Sequence, residues 1–321
     1  MNNSIDILED SIKKFGQSLL DILLKDKTTK KNIIWATQDY EYMGDMYKAN
    51  KEILSELVTG FRTNVIQPRI TKENHNKSNR TKEKAEVFTP AWVCNQQNNL
   101  VDERWFGRKD VFNVQNGTKW ITNEEKIRFE GERDWQDYVD ARRLEVSCGE
   151  APYLVSRYDT VLGYIIPVNE RIGLLDRKFR VINENIEEEK EWLRWSERAI
   201  QSIYGFEYQG DNLLLARENI LYTFIDNMEY KFDHSPNLEC LKRIANIIAW
   251  NIWQMDGTSY AIPYANVRDD EQQISIFDYI DIYEHNSWNI KKKDTDMFLC
   301  KIRDWRAEKT ILYKELIEGV K

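Results

Sequence analysis

The sequence predicts an α/β protein with a largely parallel sheet, preceded by a helical region. Two observations lead to this class. In the longer, second part of the chain, apolar strand-like runs such as 143–146 and 203–206 alternate with stretches of helical periodicity, an order typical of strands joined by crossover helices. Nearer the start, Leu8, Ile12 and Leu19 recur at helical spacing.

The pattern divides the chain into three parts: an N-terminal helical region (1–66), a basic polar loop (67–84) and an α/β domain (85–321). Two apolar stripes, 8–23 and 43–57, predict a helical hairpin in the first part. The loop is almost free of apolar residues, and its cations outnumber its acids. It is either a solvated linker or an arm that contacts DNA phosphates. The candidate DNA contacts are Arg69, Lys72, Lys77, Arg80 and Lys82.

Composition limits the class of protein. Hydrophobic residues make up 41% and charged residues 31% of the 321 positions, which is typical of a globular chain and not of a disordered one. The net charge of −8 argues against a uniformly basic nucleic-acid binder but leaves room for a local basic face. With no apolar run of about 18 residues and no leader pattern at Met1, we expect a cytoplasmic protein without membrane contact.

The four cysteines are Cys94, Cys148, Cys240 and Cys300. They are widely spaced, form no C-x-x-C pair and have only three histidines to accompany them. This spacing suggests neither a zinc site nor a disulfide framework, so we expect reduced structural thiols and no metal.

The most informative segment is 144–154. Glu145 lies at the end of an apolar strand, a Cys148-Gly149 turn follows, and Pro152 suits the first turn of a new helix. In open α/β sheets ligands bind beyond the carboxyl ends of the strands, and a glycine lets the backbone turn closely under the ligand. The segment therefore suits an adenosyl cofactor, with Glu145 accepting a hydrogen bond from its ammonium group.

Further segments fit the same ligand. The apolar strand 203–207 ends in Glu207, and an acid at that place accepts the hydroxyls of a ribose. Asp256 follows an apolar helix and strand and is in a position to reach an adenine amino group. Residues 86–90 precede a helix-like stretch over 92–101.

The order of these motifs resembles that of a known enzyme family. They read Glu-Val-Phe-Thr-Pro (86–90), Leu-Glu-Val-Ser-Cys-Gly-Glu-Ala-Pro-Tyr-Leu (144–154), Tyr-Gly-Phe-Glu (204–207) followed by Leu-Ala-Arg-Glu-Asn (215–219), and Gln-Met-Asp-Gly (254–257). This set, covering roughly residues 80 to 321, resembles the N6-adenine DNA methyltransferases of restriction–modification systems. It is most similar to their methylase (M) subunits, which bind S-adenosylmethionine and take part in phage defence.

The resemblance implies a Rossmann-like class I S-adenosylmethionine-dependent methyltransferase fold, with a seven-stranded, mostly parallel sheet. It also implies which residues hold the cofactor. Phe88, Thr89 and Pro90 match the motif that lies against the methionine part. Glu145, Cys148 and Gly149 match the first cofactor motif, Glu207 matches the ribose acid, and Asp256 matches the acid near the adenine.

The sequence departs from the family in three ways. Ala151 replaces a common glycine, the interval between Glu145 and Glu207 contains an insertion around 165–195, and no Asn-Pro-Pro-Tyr or Asp-Pro-Pro-Tyr string occurs. That string holds the flipped adenine, and the nearest one here, Ala-Ile-Pro-Tyr (261–264), lacks its polar first residue.

We therefore expect a methyltransferase-like domain that is incomplete at its C-terminus and has no catalytic residue of its own. A second polypeptide would carry the catalytic strand and the module that reads DNA bases. Two alternatives stay open. One is a non-catalytic interaction protein that keeps the scaffold, as a regulator or decoy in phage–host conflict, and the other is a truncated product without activity.

Overall fold

The computed structural model describes residues 9–71, 89–265 and 298–319. The helices are α1 (Glu9–Phe15), α2 (Gln17–Leu24), α3 (Ala91–Phe106), α4 (Trp135–Asp140), α5 (Leu174–Asn185), α6 (Glu189–Gln201), α7 (Gly210–Phe232), α8 (Leu238–Asn251) and α9 (Tyr313–Glu318). The strands are β1 (Asn113–Asn116), β2 (Lys119–Thr122), β3 (Arg143–Val146), β4 (Ile203–Glu207), β5 (Ile252–Gln254), β6 (Lys301–Asp304) and β7 (Lys309–Leu312). Helix and sheet are thus mixed, as the sequence predicts.

Strands β3, β4 and β5 form a parallel sheet in that order, with Arg143 opposite Ile203 and Gly205 opposite Ile252. The pairs β1–β2 and β6–β7 are antiparallel hairpins. The predicted α/β class with a parallel sheet is confirmed, and so are the strands predicted at 143–146 and 203–206. Within the described residues the parallel sheet has three strands, so the seven-stranded sheet that the resemblance implies is not confirmed.

The two faces of this sheet contact different apolar clusters. Ile203 and Ile252 belong to the main core, together with apolar side chains of α6, α7 and α8. Because side chains alternate along a strand, Phe206, three residues after Ile203, and Trp253, next to Ile252, point to the other face. There they form a smaller cluster with Tyr313 and with Ile302 of β6. The β6–β7 hairpin and α9 therefore cover that face over β4 and β5.

The insertion expected around 165–195 supplies helices α5 and α6, which lie between β3 and β4 along the chain. Arg177 of α5 is buried and forms an ion pair with Asp102 of α3, with 2.5 Å between its Nη1 and Oδ2 atoms. Removing one partner of such a buried pair typically costs several kcal/mol, about 3–5. The pair therefore fixes α3 against α5.

The N-terminal region is only partly helical. The first apolar stripe forms α1 and α2, which meet at Gly16. The helix expected from the second stripe is wrong: the segment contains short 3-10 turns at Glu41–Met43, Asp45–Tyr47 and Ser55–Leu57. Gly44 takes a φ of 123°, which interrupts any helix there. Ile53 and Leu57 are buried nonetheless, because the irregular backbone folds against the main core.

This region lies against the ends of β4 and β5. The N–H of Gly210 donates to the carbonyl of Trp35 at 2.9 Å. A Cβ atom at Gly210 would lie 2.0 Å from the carbonyl oxygen of Ile34, so only glycine allows this approach. Ile34 also exchanges two hydrogen bonds with the side chain of Gln254 in β5, at 2.9 and 2.8 Å. Residues 36–38 are thereby brought to the carboxyl end of the sheet.

Several predictions lie outside the described residues. These are the DNA contacts Lys72, Lys77, Arg80 and Lys82 and the cofactor contact Phe88. Arg69 begins a 3-10 turn that ends at Thr71. Among the helices that the structure describes, none is long and apolar enough to cross a membrane.

Candidate functional site

A cavity of about 700 Å³ opens at the carboxyl ends of β3 and β4. Five of the predicted cofactor residues line it: Thr89, Glu145, Cys148, Gly149 and Glu207. They come from the start of α3, from β3 and its following loop, and from the end of β4. A cavity of this size is ordinary for a site that binds a small molecule or cofactor.

The loop after β3 owes its shape to three left-handed residues. Ser147, Gly149 and Ala151 have φ angles of 52°, 53° and 63°. The N–H of Cys148 donates to the carbonyl of Phe206 at 2.9 Å, which continues the pairing with β4 beyond the strand. Ala151, the departure from the family's glycine, keeps a glycine-like conformation and is fully buried. The loop thus turns tightly over the end of the sheet.

Glu207 connects the two strand ends. Its Oε2 accepts from the N–H of Gly149 at 2.9 Å, and its Oε1 accepts from the N–H of Gln209 at 3.1 Å. The residue is 7% exposed and lies at the cavity wall. An ionised carboxylate accepts hydrogen bonds, so Glu207 presents an acceptor group at the wall of the cavity.

Glu145 lies on the neighbouring strand. Its carboxyl oxygens accept from the N–H groups of Tyr153 and Leu154 at 3.3 and 3.2 Å. Burial raises the pKa of Glu145 to about 8, against the opposing effect of those two N–H groups, and the charge of Glu207 raises it further. At neutral pH the carboxyl is therefore largely protonated. A cation placed beside it would favour its ionised form.

Two tyrosines supply flat surfaces next to Glu207. The rings of Tyr208 and Tyr264 lie with their centroids 6.4 Å apart and inclined at 50°, and both residues line the cavity. Burial raises the pKa of Tyr208 to about 12, so its phenol stays protonated at physiological pH. Such neutral rings suit stacking against a planar heterocycle.

Sequence reasoning missed part of the cavity wall. Val146, Ser147, Pro152 and Tyr153 lie in the predicted motif 144–154 but were not named as contacts; the other lining residues not predicted as contacts are Ala36, Thr37, Gln38, Tyr208, Gln209, Asn212 and Tyr264. Tyr208 and Gln209 follow Glu207 directly, so their proximity to the motif was a usable signal. No pattern in the sequence points to residues 36–38, since they are brought there by the close approach at Gly210.

Two predicted residues do not line the cavity. Asp256 directs its Oδ1 to the N–H and the hydroxyl of Thr258, at 2.8 and 2.6 Å, and so caps a local turn. Pro90 immediately precedes α3, and its carbonyl accepts from the N–H of Val93 at 2.9 Å. Cofactor contacts by Asp256 and Pro90 stay predictions.

Cys148 is not suited to nucleophilic chemistry. Burial, together with the nearby Glu145 and Glu207, raises the pKa of its thiol well above the ordinary value. The reactive thiolate is thus suppressed. In the part of the chain that the structure describes, no group of three or more His, Cys, Asp or Glu side chains is arranged to hold a metal ion.

Comparison of the chain with protein-family models, with curated proteins and with solved structures found no match.

Proposed function

We propose that this chain is an S-adenosylmethionine-binding, DNA adenine methyltransferase-like subunit of a restriction–modification system. A second polypeptide supplies the strand that holds the target base and the module that recognises the DNA sequence. The observation that carries the proposal is the meeting of Glu145 and Glu207 at one cavity, with Gly149 bonded to Glu207. The motif order in the sequence, read as a resemblance, supports it.

The residues of the cavity fit the chemical groups of this cofactor. Glu207 presents a carboxylate at the cavity wall to the two ribose hydroxyls, and Glu145 presents a second acid to the ammonium group. The left-handed turn at Gly149 allows the backbone to approach the ligand closely. Tyr208 offers its ring to the adenine. The bound cofactor would supply a methyl group for transfer.

Glu145 couples cofactor binding to pH. Its pKa is raised to about 8, so near pH 7 the carboxyl must lose its proton to pair with an ammonium group. Binding then releases a proton, and affinity rises as the pH increases from about 6 to 8. If the ligand placed an uncharged group beside Glu145, its affinity would not depend on pH in this way.

Methyl transfer also needs residues that hold a flipped adenine. The printed sequence contains no Asn-Pro-Pro-Tyr or Asp-Pro-Pro-Tyr string, and Tyr264 of the Ala-Ile-Pro-Tyr string lies in the cavity wall beside Tyr208. We assign Tyr264 to the cofactor side of the reaction. The chain alone is accordingly expected to bind cofactor without methylating DNA.

Isothermal titration with S-adenosylmethionine tests the proposal. We expect micromolar binding that weakens at least about tenfold in Glu207→Ala, because the ribose hydroxyls lose their acceptor. Glu132→Ala, which removes an exposed acid outside the cavity wall, is the matched control and should leave the affinity unchanged. Absence of binding at millimolar cofactor would refute the cofactor claim.

A non-catalytic interaction protein is the second candidate, in the role of a regulator or decoy in phage–host conflict. Exposed apolar side chains on β3 favour it, since such patches commonly mark a protein contact. The two candidates differ in the titration: an interaction protein that keeps only the scaffold gives no cofactor binding.

A further inference from the structure

One edge of the parallel sheet is open. In the part of the chain that the structure describes, β3 pairs with β4 and with no other strand. The N–H of Arg143 donates toward β4, to the carbonyl of Ser202 at 2.9 Å. Because the direction of backbone groups alternates along a strand, those of Leu144 and Val146 point to the opposite edge. Among the residues that the structure describes, no strand pairs with the N–H and C=O groups at that edge, which are therefore placed to bind a further strand.

The side chains at this edge are apolar and exposed. Leu144 is 45% exposed and Val146 is 64% exposed. By register they point to the same face as Tyr204 and Phe206, where Phe206 is only 5% exposed beneath the hairpin. The same face of one sheet is thus covered over β4 and uncovered over β3.

Grooves flank β3 on both sides. One, of about 200 Å³, lies between β3 and the β6–β7 hairpin and is lined by Leu144, Tyr204, Ile311 and Leu316 among others. The other, of about 500 Å³, lies beside α3 and is lined by Leu100, Val101, Arg104, Trp105, Arg133 and Arg143. An added strand would place alternate side chains in the two grooves.

The charges around the edge of β3 indicate which kind of partner binds there. Arg104, Arg133 and Arg143 form no ion pair with any residue that the structure describes, while Arg142 pairs with Asp304 at 3.4 Å. Edge-to-edge pairing with a second copy would bring arginines from both copies together, which is unfavourable. A nucleic-acid phosphate would satisfy the arginines but would leave Leu144 and Val146 uncovered. A polypeptide strand with alternating apolar residues and acidic flanks would pair with the arginines and would also cover Leu144 and Val146.

We propose that the open edge of β3 binds a β-strand of a partner polypeptide, with alternating apolar residues and acidic flanks. The site is continuous with the cavity, because Val146 belongs to both. A strand running parallel to β3 ends at the cavity mouth. This placement brings residues of the partner next to the bound cofactor, and it rests on the proposed function.

A fluorescein-labelled peptide tests the docking without any cofactor. Its core alternates valine and threonine, and each end carries two aspartates. Anisotropy titration of the full chain is expected to show binding that weakens roughly tenfold or more when a central proline interrupts the strand or when lysines replace the aspartates.

Variants locate the peptide on the protein. Val146→Asp is expected to reduce peptide affinity at least about tenfold through charge repulsion and lost apolar contact. Ile121→Asp, at a 67% exposed position on β2, is the matched control and should bind the peptide like the unmodified chain. Circular dichroism verifies that both variants fold.

Three outcomes would overturn the proposal. The first is equal binding of the strand peptide and its proline-interrupted form. The second is tight binding of a DNA duplex that Arg143→Glu abolishes and Val146→Asp leaves unchanged, which assigns the edge to nucleic acid. The third is a dimer of the unmodified chain in gel filtration that becomes a monomer in Val146→Asp. That result assigns the edge of β3 to a second copy of the chain. Failure of cofactor binding alone leaves the peptide result standing, so the two proposals fail separately.

Discussion

The two sides of the parallel sheet differ in how well they are covered. On the β5 side, Trp253 and Phe206 are 2% and 5% exposed beneath the β6–β7 hairpin and α9. On the β3 side, Leu144 and Val146 face the same direction and are about half exposed or more. The residue types are similar and the strand geometry is the same. What differs is the neighbour, which shows that an apolar strand does not by itself form a core.

The largest expected effect is a difference in the free energy of unfolding between a variant on the covered side of the sheet and a variant on the open side. Trp253→Ala should lower the free energy of unfolding by about 3–5 kcal/mol, because it removes a buried ring that packs against Phe206 and Tyr313 at centroid distances of 5.7 and 5.2 Å. Val146→Ala, on the open side, should change it by less than about 0.5 kcal/mol. Urea unfolding of both variants checks the contrast, and equal losses would contradict it.

The next effect concerns the N-terminal segment that closes the cavity on the covered side. Gly210→Ala should destabilise the protein by about 1–3 kcal/mol and weaken cofactor binding, because the new Cβ collides with the carbonyl of Ile34 and displaces residues 36–38. Ile34→Val keeps that carbonyl in place and should leave the affinity unchanged. Thermal unfolding and calorimetric titration measure the two effects. A Gly210→Ala protein with unaltered affinity would show that residues 36–38 are not needed for binding.

The third effect is a pH dependence that belongs to Glu145 on β3. Its pKa is about 4.5 in the unfolded chain and about 8 in the native protein, so between these values the native state binds more protons. Its contribution to stability therefore falls as the pH rises through this window, by at most about 1.4 kcal/mol per pH unit. Glu145→Gln should flatten the slope, as measured by urea unfolding at a series of pH values.

Glu9 is the control for this prediction. Burial also raises its pKa to about 8, and it lies on α1, so Glu9→Gln should flatten the same slope. The two differ in their response to cofactor, which should alter the titration of Glu145 and leave that of Glu9 unchanged. An unaltered pH profile in Glu145→Gln would show that this carboxyl is ionised throughout.

Local patterns were sufficient to predict part of the fold and of the site. The strands 143–146 and 203–206 were predictable because each is a short run with alternating apolar residues, followed by turn residues or by the start of a helix. Glu145 and Glu207 were predictable because each lies at the end of such a strand or one residue before it, and parallel strands end at one edge. The false helix at 43–57 arose because apolar spacing at helical intervals also occurs in irregular segments whose side chains reach a common core.

By itself, the sequence determined the α/β class, the strands β3 and β4, and the pairing of two acids with a Cys-Gly turn, because each depends on residues that are close along the chain. Only the tertiary structure decided that residues 36–38 and Tyr264 line the same cavity, that Asp256 caps a turn outside its wall, and that β3 pairs with β4 alone among the described strands. These features depend on which distant segments meet. Such contacts, like that of Gly210 with Ile34, leave no periodic pattern in the sequence.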